Sequence, residues 1–261
     1  MGYETARILA EQGHRVYGAA RRVQKIEELA PYGVQALPLD ITDEASIVAC
    51  VKEVISLEGR IDVLINNAGY GYLGAIEDVS IADAKHQFEV NIFGLARMTQ
   101  EVLPHMRKQH SGRIVNLASV AGHVTFAFAA WYNATKYALE AFSDALRMEV
   151  KQFGIDVVII EPGGIRTDWG LIAADHLRDS AQGGAYEPTA IRMAEGMRKL
   201  YLSNIPTAPK VISRKIARAA VCRHPKTRYL TGRGAKLIVF FHAILPTRWW
   251  DALIVRSMSK L

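Results

Sequence analysis

Short apolar runs of strand length alternate with longer segments of helical periodicity along this chain, and no other feature restricts its fold as much. Runs such as 113–118 and 156–161 are rich in Val, Ile and Leu, whereas 44–57 and 130–152 repeat apolar residues at helical spacing. Strands separated by helices cannot be joined by tight turns, so they pair in parallel through crossover connections, and a parallel sheet needs helices on both faces. The pattern predicts strands near 15–19, 34–38, 61–66, 113–118, 156–161 and 227–231. Helices are predicted near 3–12, 22–30, 44–57, 81–109, 130–152 and 209–222, with helical pieces in the last 25 residues. Thr42 or Asp43 can cap the helix that starts at 44. The fold class is α/β, a doubly wound parallel sheet of Rossmann-like form. At 261 residues, half of them apolar, residues 1–261 make one domain.

Two segments depart from the alternation. Over about 168–210 the periodicity weakens and Gly183-Gly184, Pro188, Pro206 and Pro209 intervene, which reads as a lid containing a short helix. The second is a basic, apolar C-terminal segment over about 232–261. The net charge of +6 is unevenly placed: residues 1–191 hold 17 Lys+Arg against 24 Asp+Glu, and residues 192–261 hold 15 against 2. Such asymmetry points to an anionic partner. No nucleic-acid-binding motif accompanies it, so nucleic acid is discounted. The segment also holds Leu237-Ile238-Val239-Phe240-Phe241-His242-Ala243-Ile244-Leu245 and then Trp249-Trp250. That run is far shorter than the roughly 20 residues a membrane span requires. It can lie on a membrane surface, or cap the substrate cavity or a subunit contact.

Cys50 and Cys222 give no disulfide framework or metal-ligand spacing, and the eight histidines are scattered, so no metal is expected. The first residues read as a helix rather than a secretory leader. A cytoplasmic location, with peripheral membrane contact as a further possibility, is the expectation.

Chemistry enters at Tyr132-Asn133-Ala134-Thr135-Lys136. Four residues apart on a helix, Tyr132 and Lys136 share a face. A phenol near pKa ~10 is a poor acid or base at neutral pH, but an adjacent ammonium stabilises its anion and makes the pair a candidate proton donor and acceptor. Ser119 follows the run 113–118, at the carboxyl end of a buried strand, where open α/β sheets bind ligands. Further motifs are Asn66-Asn67-Ala68-Gly69 after a strand, Asn91 in Val90-Asn91-Ile92-Phe93-Gly94, and Pro162-Gly163-Gly164-Ile165-Arg166-Thr167 after another strand. In this order, with Ser119 and the Tyr-x-x-x-Lys pair, they resemble the short-chain dehydrogenase/reductase family in its compact form. The resemblance covers nearly the whole chain and is most specific up to Thr167.

The resemblance implies that Tyr132 is general acid in carbonyl reduction and general base in alcohol oxidation. It implies that Lys136 lowers the tyrosine pKa and binds the nicotinamide ribose, that Ser119 stabilises the substrate oxygen, and that Asn91 holds a water joining Lys136 to solvent. Asn91 could equally kink or cap its helix. Pro162, Gly163, Ile165 and Thr167 match the loop beside the nicotinamide, Asp40 and Ile41 the adenine contact, and Asn67, Ala68 and Gly69 the turn beside the adenine ribose. Asn67, Ala68 and Gly69 are also expected to support the central sheet. An acidic residue after the second family strand would select NAD. This chain has Tyr17-Gly18-Ala19-Ala20-Arg21-Arg22 there, so NADP is expected over NAD, with Arg21 first and Arg22 second on the 2′-phosphate.

Family members begin with a strand and a Thr-Gly-x-x-x-Gly-x-Gly turn, whereas this chain begins at Met1-Gly2, and only Gly2 remains for the pyrophosphate. The expectation is an N-terminally truncated chain whose natural start lies upstream, with the first strand missing. The strands near 15–19 and 61–66 should then fail to pair.

Trp131, Phe126, Phe128 and Tyr186 are expected to shape an apolar cavity, and His123 to stand in its wall. The substrate class is a lipophilic ketone, aldehyde or secondary alcohol. Homo-oligomers through the helices near 81–109 and 130–152 are what the resemblance implies. The competing reading is a non-catalytic nucleotide-binding or interaction protein that retains the fold.

Overall fold

The computed structural model describes residues 1–258. Helix α1 (Gly2–Glu11) leads into strand β1 (Val16–Ala20), helix α2 (Val23–Glu27) and strand β2 (Val34–Pro38). Helix α3 (Glu44–Glu58) starts at Asp43, whose carboxylate accepts from the Ala45 amide, so Asp43 rather than Thr42 is the cap. Strand β3 (Val63–Asn66), helices α4 (Ile81–Phe88) and α5 (Gly94–Gln109), strand β4 (Gly112–Leu117), helix α6 (Ala130–Val150) and strand β5 (Ile155–Pro162) follow. The C-terminal third contains α7 (Asp168–Ser180), α8 (Glu187–Leu202), α9 (Pro209–Val221), β6 (Arg228–Thr231), α10 (Ala235–Ile244) and α11 (Thr247–Met258).

All strand pairs are parallel. β1 and β2 form one sheet, and β3-β4-β5-β6 form a second in that order. β1 and β3 do not pair, in line with the expectation for the strands near 15–19 and 61–66. The seam is covered by side chains instead: Met1, Ile8 and Leu9 of α1, and Val16 pack into the cluster that also holds Val63 and Ile65, with Met1 standing just before the helix.

Alternation along the strands sends side chains to two faces. Val115, Leu117, Val158 and Ile160 meet Ile212 and Ile216 of α9 on one face. Ile114 and Val157 meet Ile47, Val102, Met106 and Leu146 on the other. Arg113 pins α9 to the sheet by donating to the carbonyls of Ala219, Ala220 and Cys222 while pairing with Asp156. Inside the large sheet, Asn66 donates to Asn116 (2.9 Å) and Asn116 to Ser143 (2.9 Å), a buried polar strut linking β3, β4 and α6. The support expected of the 67–69 turn is thus carried by Asn66, and residues 67–69 are exposed.

Two predicted elements differ. The helix expected over 81–109 is interrupted by a π-helical turn, Glu89–Phe93, with Asn91 buried inside it. The stretch over 168–210, expected to be irregular around a short helix, is largely helical: α7 and α8 form a hairpin whose small residues, Ala173, Ala174, Ala190 and Ala194, interlock with Leu177, Met193 and Met197. Gly183-Gly184 is the turn between these helices, and it breaks the sequence periodicity without breaking the packing. The tail is two helices, as the sequence pattern predicts, with Trp250 and Ile254 buried against Val120, Val124 and Ala235. Among the described residues, no helix is long and apolar enough to cross a membrane.

Candidate active site

Ser119 stands just past the carboxyl end of β4 and begins a short turn, its Oγ accepting from the Ala121 amide (3.1 Å) and reaching the Pro162 carbonyl at 3.5 Å. Asn133, one residue after Tyr132, fixes that turn: its amide donates to Ala121 and Val124, and its carbonyl accepts from Phe126. These bonds bring the first turns of α6 against Ser119, near enough for the serine hydroxyl to act on the titration of Tyr132. Burial raises the Tyr132 pKa well above that of a free phenol, the Ser119 hydroxyl opposing it only in part.

Lys136 is buried, its Nζ donating to the Leu117 carbonyl (2.9 Å) and lying 5.9 Å from the Tyr132 ring centre. Burial lowers its pKa to about 8, and Glu140 one turn further along α6 works against that fall. The expected lowering of the tyrosine pKa by Lys136 is therefore absent: the ammonium is turned to a backbone carbonyl, and desolvation of the phenol dominates.

Asn91 accepts from the Tyr70 amide and donates to the Tyr70 carbonyl and to Thr135 Oγ1. It both sits in a helix defect and ties the turn after β3 to α6; π-bulges are common at functional sites. Because of that tie, a Cβ placed on Gly69 would come within 3.2 Å of Asn91 Oδ1 and 3.8 Å of Lys136 Nζ. The bare backbone leaves a cradle beside the lysine.

The other candidates line the carboxyl edges of both sheets. Arg21 and Arg22 are exposed after β1. Asp40, after β2, accepts from the Thr42 amide and hydroxyl, which hold its carboxyl below the usual range. The Ile41 carbonyl lies hard against Gly94. Gly2 opens α1, where Met1 supplies no side-chain cap, and packs on Asn67. The loop 162–167 is stitched down by Gly163 to Thr231, Arg166 to Thr207, and a bridge between Ile165 and Thr207. Thr167 precedes α7 and makes no side-chain cap bond. Polar and glycine-bearing positions thus follow one edge from Arg21 to Lys136, and they fit an extended dinucleotide.

Two expectations about the cavity change. Trp131 lines an outward groove with Ile81, Phe88 and Phe93, not the face that holds Tyr132. His123 is not a cleft wall but an ion-pair partner of buried Glu161 (3.0 Å). Phe126 and Phe128 do pack beside Tyr132, and Phe128 meets Tyr186 edge-on at 5.8 Å. Sequence reading missed Trp169, whose ring lies 5.0 Å from Tyr132, and Tyr201, 6.4 Å from Trp169. A Cβ on Gly71 would reach 2.4 Å from the Trp169 ring, so glycine there admits the indole.

Two half-buried hydroxyl-bearing side chains, a buried ammonium one turn away and a glycine-lined sheet edge are the parts with which a proton can be moved to or from an oxygen beside a nicotinamide, the class of a dinucleotide-dependent oxidoreductase. The short chain dehydrogenase family model matches residues 1–173. The chain is 34% identical over 256 residues to the probable short-chain type dehydrogenase/reductase VdlC of Helicobacter pylori, covering 97% of this chain and 92% of that one. It is 40% identical over 166 residues to the 3-ketodihydrosphingosine reductase of Bacteroides thetaiotaomicron, covering 64% and 60%. A short-chain dehydrogenase from Streptomyces avermitilis superposes with a TM-score of 0.77 at 33% identity, over 92% of this chain and 86% of that one. Serine dehydrogenase complexed with NADP+ superposes with 0.76 at 24% identity, over 88% and 89%, a likeness of fold. The chain belongs to the short-chain dehydrogenase/reductase family and is an oxidoreductase acting on CH–OH and C=O groups.

Proposed function

We propose that the protein is an NADP(H)-dependent oxidoreductase interconverting a lipophilic carbonyl and its alcohol. The observation that carries this reading is the convergence of Ser119, Tyr132 and Lys136 at the carboxyl end of the large sheet. When bound, the nicotinamide supplies or accepts the hydride. Tyr132 gives its proton to the carbonyl oxygen in reduction and takes it back in oxidation. Ser119 Oγ shares the charge developing on that oxygen. Lys136 and Tyr132 hold the nicotinamide ribose, and Pro162, Gly163, Ile165 and Thr167 the carboxamide side. Asn67, Ala68 and Gly69 hold the adenine ribose, Asp40 and Ile41 the adenine, and Gly2 the pyrophosphate. Arg21 and Arg22, exposed and with no carboxylate at the end of β1, support the choice of NADP. In reduction the raised Tyr132 pKa keeps the required proton in place.

Phe126, Phe128, Trp169 and Tyr201 support an apolar substrate. The similarity to a 3-ketodihydrosphingosine reductase is in keeping with a ketone on an alkyl chain. Asn91 is the backbone clamp of this site; with both amide hydrogens already bonded, any relay water would use the free lone pair of its carbonyl oxygen.

Peripheral membrane contact is supported by the outer faces of α10 and α11, which leave Leu237, Phe240, Phe241, Ile244 and Trp249 exposed among Arg233, Lys236 and Arg248. A homo-oligomer is supported by the apolar groove of Ile81, Phe88, Phe93 and Trp131.

The deciding experiment is Tyr132→Phe assayed with NADPH and a medium-chain ketone. Turnover should fall by at least a thousandfold while NADPH binding, read by fluorescence, stays within threefold; retained turnover would sink the assignment. A protein that neither binds NADPH nor turns over any carbonyl would favour the non-catalytic reading.

A further inference from the structure

Behind Lys136, on the side away from Tyr132, lies an ionic group that the proposed chemistry does not use. Glu140 of α6 and Glu161 of β5 are 7% and 2% exposed, and Arg228 of β6 bridges them, Nη2 to Glu140 (3.2 Å) and Nε to Glu161 (3.0 Å). Arg228 also pairs with Asp144 (2.6 Å), which is further held by Arg147. From the turn after Ser119, His123 pairs with Glu161, and its carbonyl accepts from the Tyr137 hydroxyl. His123, Glu140 and Glu161 offer ligand atoms within 4.8 Å of one another, a spacing that suits a cation. The guanidinium of Arg228 already bridges the two carboxylates, so the cation of this group belongs to the chain.

One guanidinium, its side chain 33% exposed, cannot neutralise two adjacent buried carboxylates and Asp144 as well; the balance falls to His123, when protonated, and to Lys136. Glu140 Oε1 is buried without a hydrogen-bond partner. Glu140 lies one helical turn after Lys136, and Gly122 is wedged against both: a Cβ there would lie 2.8 Å from Glu140 Cγ and 2.9 Å from the Lys136 carbonyl. Among the described residues, Glu140 is the carboxylate that acts on the lysine.

We propose that Glu140 is a positioning residue for Lys136: its buried carboxylate, held by Arg228, keeps the Lys136 ammonium charged, and the protonation of the His123–Glu161 pair tunes that hold. Its bearing on catalysis rests on the role of Lys136 proposed above; the charge coupling itself does not. Crowding with Glu161 and burial raise the Glu140 pKa to about 7, while His123 and Arg228 oppose the rise. Loss of the His123 proton therefore weakens Glu140 as an anion and, through it, Lys136 as a cation.

The test is a pH titration of the Lys136 side chain by NMR in full-length protein with 13C-labelled lysine. The wild-type midpoint should lie at about 8. Glu140→Gln, which keeps shape and removes charge, should lower it by about one pH unit, a tenfold change in the proton equilibrium. Arg228→Gln should do the same, Arg228→Lys should restore most of the shift, and His123→Asn should give a smaller fall in the same direction. His123 has 29% of its side chain exposed, so that variant keeps the test open if Glu140→Gln does not fold. In folded variants, the alkaline limb of kcat for carbonyl reduction should move with the NMR midpoint while KM for the ketone stays put. An unmoved Lys136 midpoint in every folded variant overturns the proposal. An inactive wild type with a moving midpoint overturns the catalytic reading and leaves the coupling standing.

Discussion

Lys136 holds its proton in surroundings that solvate an ammonium poorly, so its charge is the part of the site most exposed to pH. With its pKa lowered to about 8, the ammonium is intact at neutral pH and is lost as pH rises through that value. Ketone reduction should therefore fall along an alkaline limb with a midpoint near 8, seen in kcat at saturating cofactor. At the other end of the proposed dinucleotide, Arg21→Glu places a carboxylate where the 2′-phosphate would sit. The ratio of kcat/KM for NADPH over NADH should drop by at least tenfold; an unchanged ratio would remove Arg21 from the cofactor site. Ser119, Tyr132 and Lys136 could be read in the sequence because their relation is local: a strand end, a short turn and one helical turn. Trp169, Tyr201 and Glu140 could not. Trp169 reaches Tyr132 only through the packing of the α7–α8 hairpin, and Glu140 matters only beside Glu161 and Arg228, which chain topology brings from other strands.

Among the elements, the π turn at Glu89–Phe93 shows how a side chain can reshape a helix. Its extra residue turns Asn91 inward, where three hydrogen bonds to Tyr70 and Thr135 repay the lost helical regularity. Asn91→Ala leaves buried backbone groups without partners and should destabilise the fold by about 2–3 kcal/mol in urea denaturation. Turnover should fall as well, since the turn at Gly69 is no longer held beside Lys136. The sequence carries an unbroken helical pattern through this region, because an insertion of one residue in the hydrogen-bond ladder barely disturbs apolar spacing. The α7–α8 hairpin was hidden for the opposite reason: its helices interlock through alanines, which carry little amphipathic signal. Strands β4 and β5 lie close to their predicted positions because their buried stretches are runs of Val, Ile and Leu, a signal that needs no partner to be recognised.

On the scale of the whole molecule, the interrupted sheet sets a gradient of stability. A two-stranded sheet is marginal by itself, and β1–β2 is joined to the rest by side-chain packing rather than by strand hydrogen bonds. Native-state hydrogen exchange should show β1 and β2 opening at lower free energy than β4 and β5, whose side chains are buried on both faces. The basic, aromatic outer side of α10 and α11 makes a separate prediction at the same scale. The double variant Phe240→Ser, Trp249→Ser should lose co-sedimentation with phosphatidylserine vesicles and keep its thermal unfolding midpoint, both side chains being exposed. Equal sedimentation of the wild type with neutral vesicles would argue against an anionic surface as the partner. The seam between the sheets has one more consequence. Arg21 and Asp40 belong to the small sheet and Lys136 to the helix packed on the large one, so a dinucleotide lying across these residues would bolt together two bodies that share no ladder bond. Affinity for that ligand and cohesion of the fold are then one free energy observed in two ways. At a hundredfold excess over Kd it amounts to about 2.7 kcal/mol, and it should be felt first as slower exchange in β1 and β2, far from the atoms that react.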